Sequence, residues 1–142
     1  MARVSTYINT QGRTEEAFEF YSQVFRSPIS FRQRFSEFPE MANSLPEHER
    51  DGIMHIELSI LDGHVLMGTD MLESAGHEIR IGNNTTINLE PDNKDDADRF
   101  YNLLSQESTE HSNGMSDMDW GAYWGCCLDK FGVRWMINFA KK

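Results

Sequence analysis

The sequence predicts an α+β fold built from two βαβββ modules that form a concave mixed sheet, and three observations carry that expectation. The heptapeptide "EEAFEFY", Glu15 to Tyr21, recurs as "DDADRFY", Asp95 to Tyr101. Each copy follows an Ile-Asn pair, Ile8-Asn9 and Ile87-Asn88, with one residue inserted in the second spacing. Each half then closes on two extended runs around a turn, "LDG" ending at Gly63 and "DKFG" ending at Gly132.

The first strand carries Tyr7 on one face with Ser5 and Asn9. The heptapeptide opens an amphipathic helix whose expected apolar face is Ala17, Phe20, Tyr21, Val24 and Phe25, repeated as Ala97, Phe100, Tyr101 and Leu104. Thr14 or Asn93 can cap these helices, and the acids that follow sit where the helix dipole favours them. "PISFRQRF" alternates Ile29, Phe31 and Gln33 against Ser30, Arg32 and Arg34, a strand pattern, and a polar loop is expected from about Ser36 to Arg50. "IMHIELSI" and "HVLMGTD" form the first hairpin, and "GAYWGCCLDKFGVRWMINF" the second. Between them "MLESAGHEIRIGNN" lacks periodicity and reads as a connection. One domain is expected over 1–142, with modules at 1–72 and 84–142 and the connection at 73–83. A single module leaves one sheet face uncovered, so two copies are expected to share a concave space.

A chain of 142 residues, 39% hydrophobic and 25% charged, has the balance of one globular domain. Thirteen Lys and Arg against 23 Asp and Glu give a net charge of -10, which repels phosphate backbones and anionic lipid, so neither nucleic acid nor membrane is an expected partner. No apolar run reaches the roughly 18 residues of a membrane span, and "MARVSTYINTQGRTEEAF" lacks a signal-peptide core, so a cytoplasmic location is expected. Cys126 and Cys127 are adjacent, a spacing that closes only a strained disulfide ring, and read as reduced thiols.

Period-two alternation sets Met136 with Arg134 and Asn138 on a cavity face and sends Val133, Trp135, Ile137 and Phe139 to the core. Tyr7 and Asn9 on the first strand, Thr86 and Asn88 with Glu90 on its repeat, and Met67 in the first hairpin are expected on the same cavity face as Met136. Met, Tyr and small polar groups suit an organic ligand. His55 and Glu57 project from one face of a strand and read either as an acid/base or metal pair or as a hydrogen-bonded structural pair, with His64 and Asp70 the nearest further candidates. His48, His77 and His111 sit in polar segments and read as solvent exposed. One cysteine at most points into the cavity, and small core-filling thiols are the simpler reading. Trp120, Tyr123 and Trp124 read either as a platform for a planar ligand or as an interface between subunits.

The segments "YINTQGRTEEAFEFYSQVF", "IMHIELSILDGHVLMGTD", "INLEPDNKDDADRFYNLLS" and "DWGAYWGCCLDKFGVRWMIN" together resemble the vicinal oxygen chelate superfamily of glyoxalase I, extradiol dioxygenases and bleomycin-resistance proteins, and within it the PhnB-like group. The resemblance implies a homodimer. It also implies that a metal, where present, is held on the first and last strands of each half. Those places match Tyr7 (or Thr6), Thr86, Met67 and Met136, and thioethers and neutral hydroxyls are poor ligands for a hard divalent ion. The expectation is therefore a protein that binds a small organic ligand without a cofactor or metal. The alternative is a divalent-metal lyase or dioxygenase using His55 and Glu57. PhnB-like proteins often carry the label 3-demethylubiquinone-9 3-methyltransferase, yet the chain has no Gly-rich strand-turn-helix of the kind that cradles an adenosyl cofactor.

Overall fold

A computed structural model describes residues 2–108, 110 and 113–140, so His111 lies outside the described residues. The chain divides into two compact units, Met1–Arg80 and Ile81–Lys142, each holding one strand-helix-strand-hairpin set.

In the first unit β1 (Thr6–Thr10) leads into α1 (Thr14–Phe25) and β2 (Ile29–Arg34), and the hairpin is β3 (Ile53–Ile60) with β4 (His64–Asp70). The sheet order is β1-β4-β3-β2, with β1 parallel to β4 and the other pairs antiparallel. The parallel pair arises because β1 and β4 are joined through the helix and two further strands rather than by a tight turn. Ile8, Ile56, Leu58, Ile60 and Leu66 form the sheet's contribution to the core under α1.

Helix α1 buries Ala17, Phe18, Tyr21 and Val24 completely, so its face is rotated from the expected one and Phe20 is only half-buried. Gly68 on β4 is the reason. A Cβ there would lie 2.7 Å from Phe18 Cε1, so the missing side chain is the space Phe18 fills.

The N-terminus of α1 has no side-chain cap from its own flanking residue, contrary to the expected role of Thr14, which is the first helical residue. Asp70 supplies the cap from β4: its Oδ1 accepts from Gly12 N at 2.9 Å and Thr14 N at 3.1 Å, and its Oδ2 accepts from Ile53 N at 2.8 Å. The segment expected as a polar loop after β2 is instead a 3-10 turn at Phe35–Glu37 followed by α2 (Pro39–Asn43) and α3 (Glu47–Arg50). Buried Phe35 and Leu45, which hydrophilicity of the surrounding residues masks in the sequence, anchor that segment.

The second unit repeats the plan with β5 (Ile87–Leu89), α4 (Lys94–Leu104), β6 (Asn113–Asp117), β7 (Ala122–Leu128) and β8 (Arg134–Ala140), in the order β5-β8-β7-β6. Asn93 caps α4 as expected, its side chain accepting from Asp96 N at 2.7 Å. Ala97, Phe100, Leu104, Leu89, Trp135 and Ile137 are buried together with Cys127 and Leu128. Trp135 satisfies its indole N–H at 2.8 Å on Asp129 Oδ2, while Oδ1 of the same carboxylate accepts from Phe131 and Val133 and fixes the turn. Gly63 and Gly132 both adopt positive φ in the two hairpin turns, at 101° and 89°. Among the described residues no helix is long and apolar enough to cross a membrane.

Candidate ligand site on the open face of the first sheet

The strand register assembles the site. Met67 of β4 pairs with Tyr7 of β1 on one side and with Glu57 of β3 on the other, and Glu57 in turn pairs with Phe31 of β2. His55, two residues before Glu57, therefore stands on the same face, with Gln33 as its β2 partner. This is the face away from α1: Ile56, Leu58 and Leu66, of opposite parity, are fully buried, whereas Tyr7 is 48% and Phe31 43% exposed.

Three of these side chains are joined in a line. Tyr7 Oη lies 3.1 Å from His55 Nδ1, and His55 Nε2 lies 2.9 Å from Glu57 Oε2. Aromatic rings flank the imidazole, with Tyr7 at 5.7 Å and Phe31 at 5.8 Å between centroids. Ser5 Oγ reaches the Met67 thioether at 3.8 Å, and Asn9 is exposed further along β1. Burial raises the Tyr7 phenol above its ordinary pKa; a hydrogen bond with Thr69 opposes the shift and the charge of Glu57 adds to it. The sequence placed Phe31 and His55 each on its own strand, but not beside one another, because the alternation that orients a side chain carries no information on which strand is its neighbour.

The two further candidates lie elsewhere. His64 is on the helix side of the sheet, where its Nε2 meets Thr6 Oγ1 at 2.9 Å. Asp70 is buried and engaged by backbone N–H groups, so it serves the fold. His48 and His77 are exposed.

On the second sheet the corresponding place is chemically different. Met136 pairs with Asn88 of β5 and with Cys126 of β7, as Met67 pairs with Tyr7 and Glu57. Asn88, and not Thr86, is thus the register equivalent of Tyr7; Thr86 lies just outside β5 and is exposed. Trp124, two residues before Cys126, takes the place of His55 and pairs with Asn138, whose buried Oδ1 has no hydrogen-bond partner. Trp124 is half-buried and meets the exposed ring of Trp120 edge-on at 6.4 Å. Tyr123 points the other way, donating to Asp98 of α4 at 2.5 Å, a bond that pushes its phenol up to about 12. Burial likewise pushes the Cys127 thiol up to about 12, with the charge of Asp129 contributing, so Cys127 is a core residue. Arg134 is held by Glu110 at 2.6 and 2.8 Å and by the Gly82 carbonyl.

Neither a divalent ion nor an adenosyl cofactor fits these residues. The first- and last-strand positions that would ligate a divalent ion hold Tyr7, Asn88 and two thioethers, a donor set too soft and too neutral. His55 and Glu57 are bonded to each other, and no group of three His, Cys, Asp or Glu among the described residues is arranged to hold a metal. The starts of α1 and α4 offer an adenosyl cofactor no cradle: the β1–α1 turn spends the N–H groups of Gly12 and Thr14 on Asp70, and the Asn93 side chain accepts from the Asp96 N–H at the start of α4.

Two βαβββ units with open-faced mixed sheets make up a fold shared with bleomycin-resistance proteins. The fold matches a bleomycin-binding protein complexed with bleomycin, with a TM-score of 0.58 and 14% identity over 99% of this chain and 100% of that one. More specifically, the chain belongs to the 3-demethylubiquinone-9 3-methyltransferase family, whose model matches residues 2–138. It is similar to protein PA1353 from Pseudomonas aeruginosa, with a TM-score of 0.83, 25% identity and full coverage of both chains. It is also similar to a PhnB protein from Bacillus cereus, with a TM-score of 0.79 and 19% identity over 98% of this chain and 100% of that one.

Proposed function

We propose that the protein binds a small, planar organic molecule against the open face of the first sheet, through a contact chemistry that uses no metal. The observation that carries this is the meeting of Tyr7, His55 and Glu57 in one hydrogen-bonded line beside Phe31 and Met67. Phe31 and Met67 offer apolar, adaptable surface, Tyr7 and His55 fix orientation by hydrogen bonds, and Asn9 extends the polar rim. Taken by itself, the second sheet carries Asn88, Met136, Trp124 and Trp120, an amide and aromatic surface of a similar kind. A fold neighbour that holds bleomycin supports the use of this architecture for organic ligands.

The test is a thermal-shift screen of aromatic and quinone compounds, with metal analysis of protein purified without chelator. A ligand that binds only the folded state raises the midpoint in proportion to its concentration over Kd. The expected outcome is a stabilising aromatic compound whose effect disappears in Phe31→Ala, with metal well below one per chain. Stoichiometric metal that is lost in His55→Ala would overturn the proposal. The chain is further proposed to act as a cytoplasmic homodimer, for which sedimentation of the purified protein at twice the 16.4 kDa chain mass is the expected result.

A further inference from the structure

The line of hydrogen bonds on the first sheet has a direction. A carboxylate accepts and does not donate, so His55 Nε2–H donates a hydrogen bond to Glu57 Oε2 across 2.9 Å. In the neutral imidazole the lone pair is then on Nδ1, and Tyr7 donates its hydroxyl hydrogen to it across 3.1 Å. The phenol oxygen is left with acceptor capacity, on a side chain that is 48% exposed.

We propose that Tyr7, His55 and Glu57 form a proton relay that ionises a neutral, weakly acidic hydroxyl ligand, a phenol or an enol, lying against Phe31 and Met67. This rests on the ligand-binding reading above. In the step, the ligand O–H bond breaks as its proton passes to the Tyr7 oxygen, while the Tyr7 O–H bond breaks and an Nδ1–H bond forms on His55. The products are a ligand oxyanion and an imidazolium held by the Glu57 carboxylate. Atoms and charge balance without any other reagent. Tyr7 touches the ligand, His55 stores the proton, and Glu57 acts as the positioning residue that fixes the tautomer and stabilises the cation. Burial raises the Tyr7 phenol above its ordinary pKa and the Glu57 charge adds to this, against an opposing Thr69 bond.

The surroundings select a neutral ligand over an anion. Within the first unit, the titratable groups on the open face beside His55 are Tyr7 from β1 and Glu57 from its own strand; β4 contributes Met67 there, and β2 contributes Phe31 and Gln33. Arg32 and Arg34, the cations of β2, are spent on Glu15 and Glu19 of α1. A phosphonate or carboxylate arriving at Tyr7 meets the Glu57 carboxylate on the same face, while the guanidinium groups of β2 are already engaged by acids of α1.

The probes are 4-nitrophenol, whose phenolate absorbs at longer wavelength than the phenol, and 4-nitroanisole, its methyl ether with no proton to give. Titrations are run below the pH at which free 4-nitrophenol ionises. The expected result is a phenolate band for bound 4-nitrophenol in the wild type. Tyr7→Phe should abolish the band and weaken binding by about tenfold, to the level of the ether. Glu57→Gln should keep most of the affinity but lose the band, a spectroscopic change that a purely structural role would not produce. If both probes bind the wild type equally and no band forms, the relay is overturned while ligand binding stands. If neither probe binds, the relay and the reading beneath it fail together.

Discussion

The backbone N–H of Thr14 donates to Oδ1 of Asp70 at 3.1 Å, so α1 is capped by the last residue of β4. Both carboxylate oxygens accept N–H groups, and Thr14 and Ile53 are fully buried. An amide has one acceptor oxygen, so Asp70→Asn necessarily points an NH2 group at a buried donor. Urea denaturation should show a loss of about 2 kcal/mol or more for Asp70→Asn, and at least as much for Asp70→Ala. A change below about 0.5 kcal/mol would mean that the cap is dispensable.

Gly68→Ala tests the packing of α1. The new methyl would lie 2.7 Å from Phe18 Cε1 and 3.0 Å from the Ile8 carbonyl, and the second contact is with backbone that cannot rotate away. Overpacking of this kind costs about 1–3 kcal/mol, to be read as a lowered denaturation midpoint. Gly68→Ala combined with Phe18→Leu should recover part of the loss, because the smaller side chain yields the space.

The two cysteines should differ in chemistry although they are adjacent. Cys127 is buried with its thiol pushed up to about 12, whereas Cys126 is half-buried on the opposite face. Thiol labelling of the native protein at mildly alkaline pH, followed by mass spectrometry, should modify Cys126 far faster than Cys127. Equal labelling in the presence of denaturant would serve as the control. Comparable native rates would contradict the placement of Cys127 in the core.

A pH dependence follows from Glu15. Hydrogen bonds from Arg34 and Arg32 hold its carboxyl below the ordinary carboxylate value. Its pKa is thus lower in the folded state than in the unfolded one. The resulting stabilisation is present above the unfolded value and is lost as pH falls through the folded one. Glu15→Gln should therefore flatten the acid limb of the stability profile and change it little near neutrality beyond a constant offset. The group is partly exposed, so added salt should shrink the difference.

The architecture was legible because the repeat, the Ile-Asn pairs and the two hairpin turns are all local signals. Helix α1 shows where that ends. Its period was correct, but Phe18 and Phe20 are both compatible with an amphipathic face, and the choice between them depends on Gly68, fifty residues away. The site divides in the same way. Tyr7 and Met67 were recognisable as cavity-face residues and His55 and Glu57 as a pair sharing one face of a strand, yet their joining in a line depends on β4 lying between β1 and β3, a matter of strand order. Thr86 was matched to Tyr7 by aligning the two Ile-Asn pairs, whereas the pairing with Met67 and Met136 assigns that place to Asn88, on the same face as Thr86 but further along the strand.

Tyr7, His55 and Glu57 in one half stand where Asn88, Trp124 and Cys126 stand in the other, around methionines that match. One sheet plan thus carries two chemistries, exchangeable protons on the first sheet and soft, neutral surface on the second. Each half is its own target for selection and for engineering. Altering His55 has no counterpart at Trp124, and a chain assembled from two first halves would carry two imidazole-carboxylate pairs, where one assembled from two second halves would carry none.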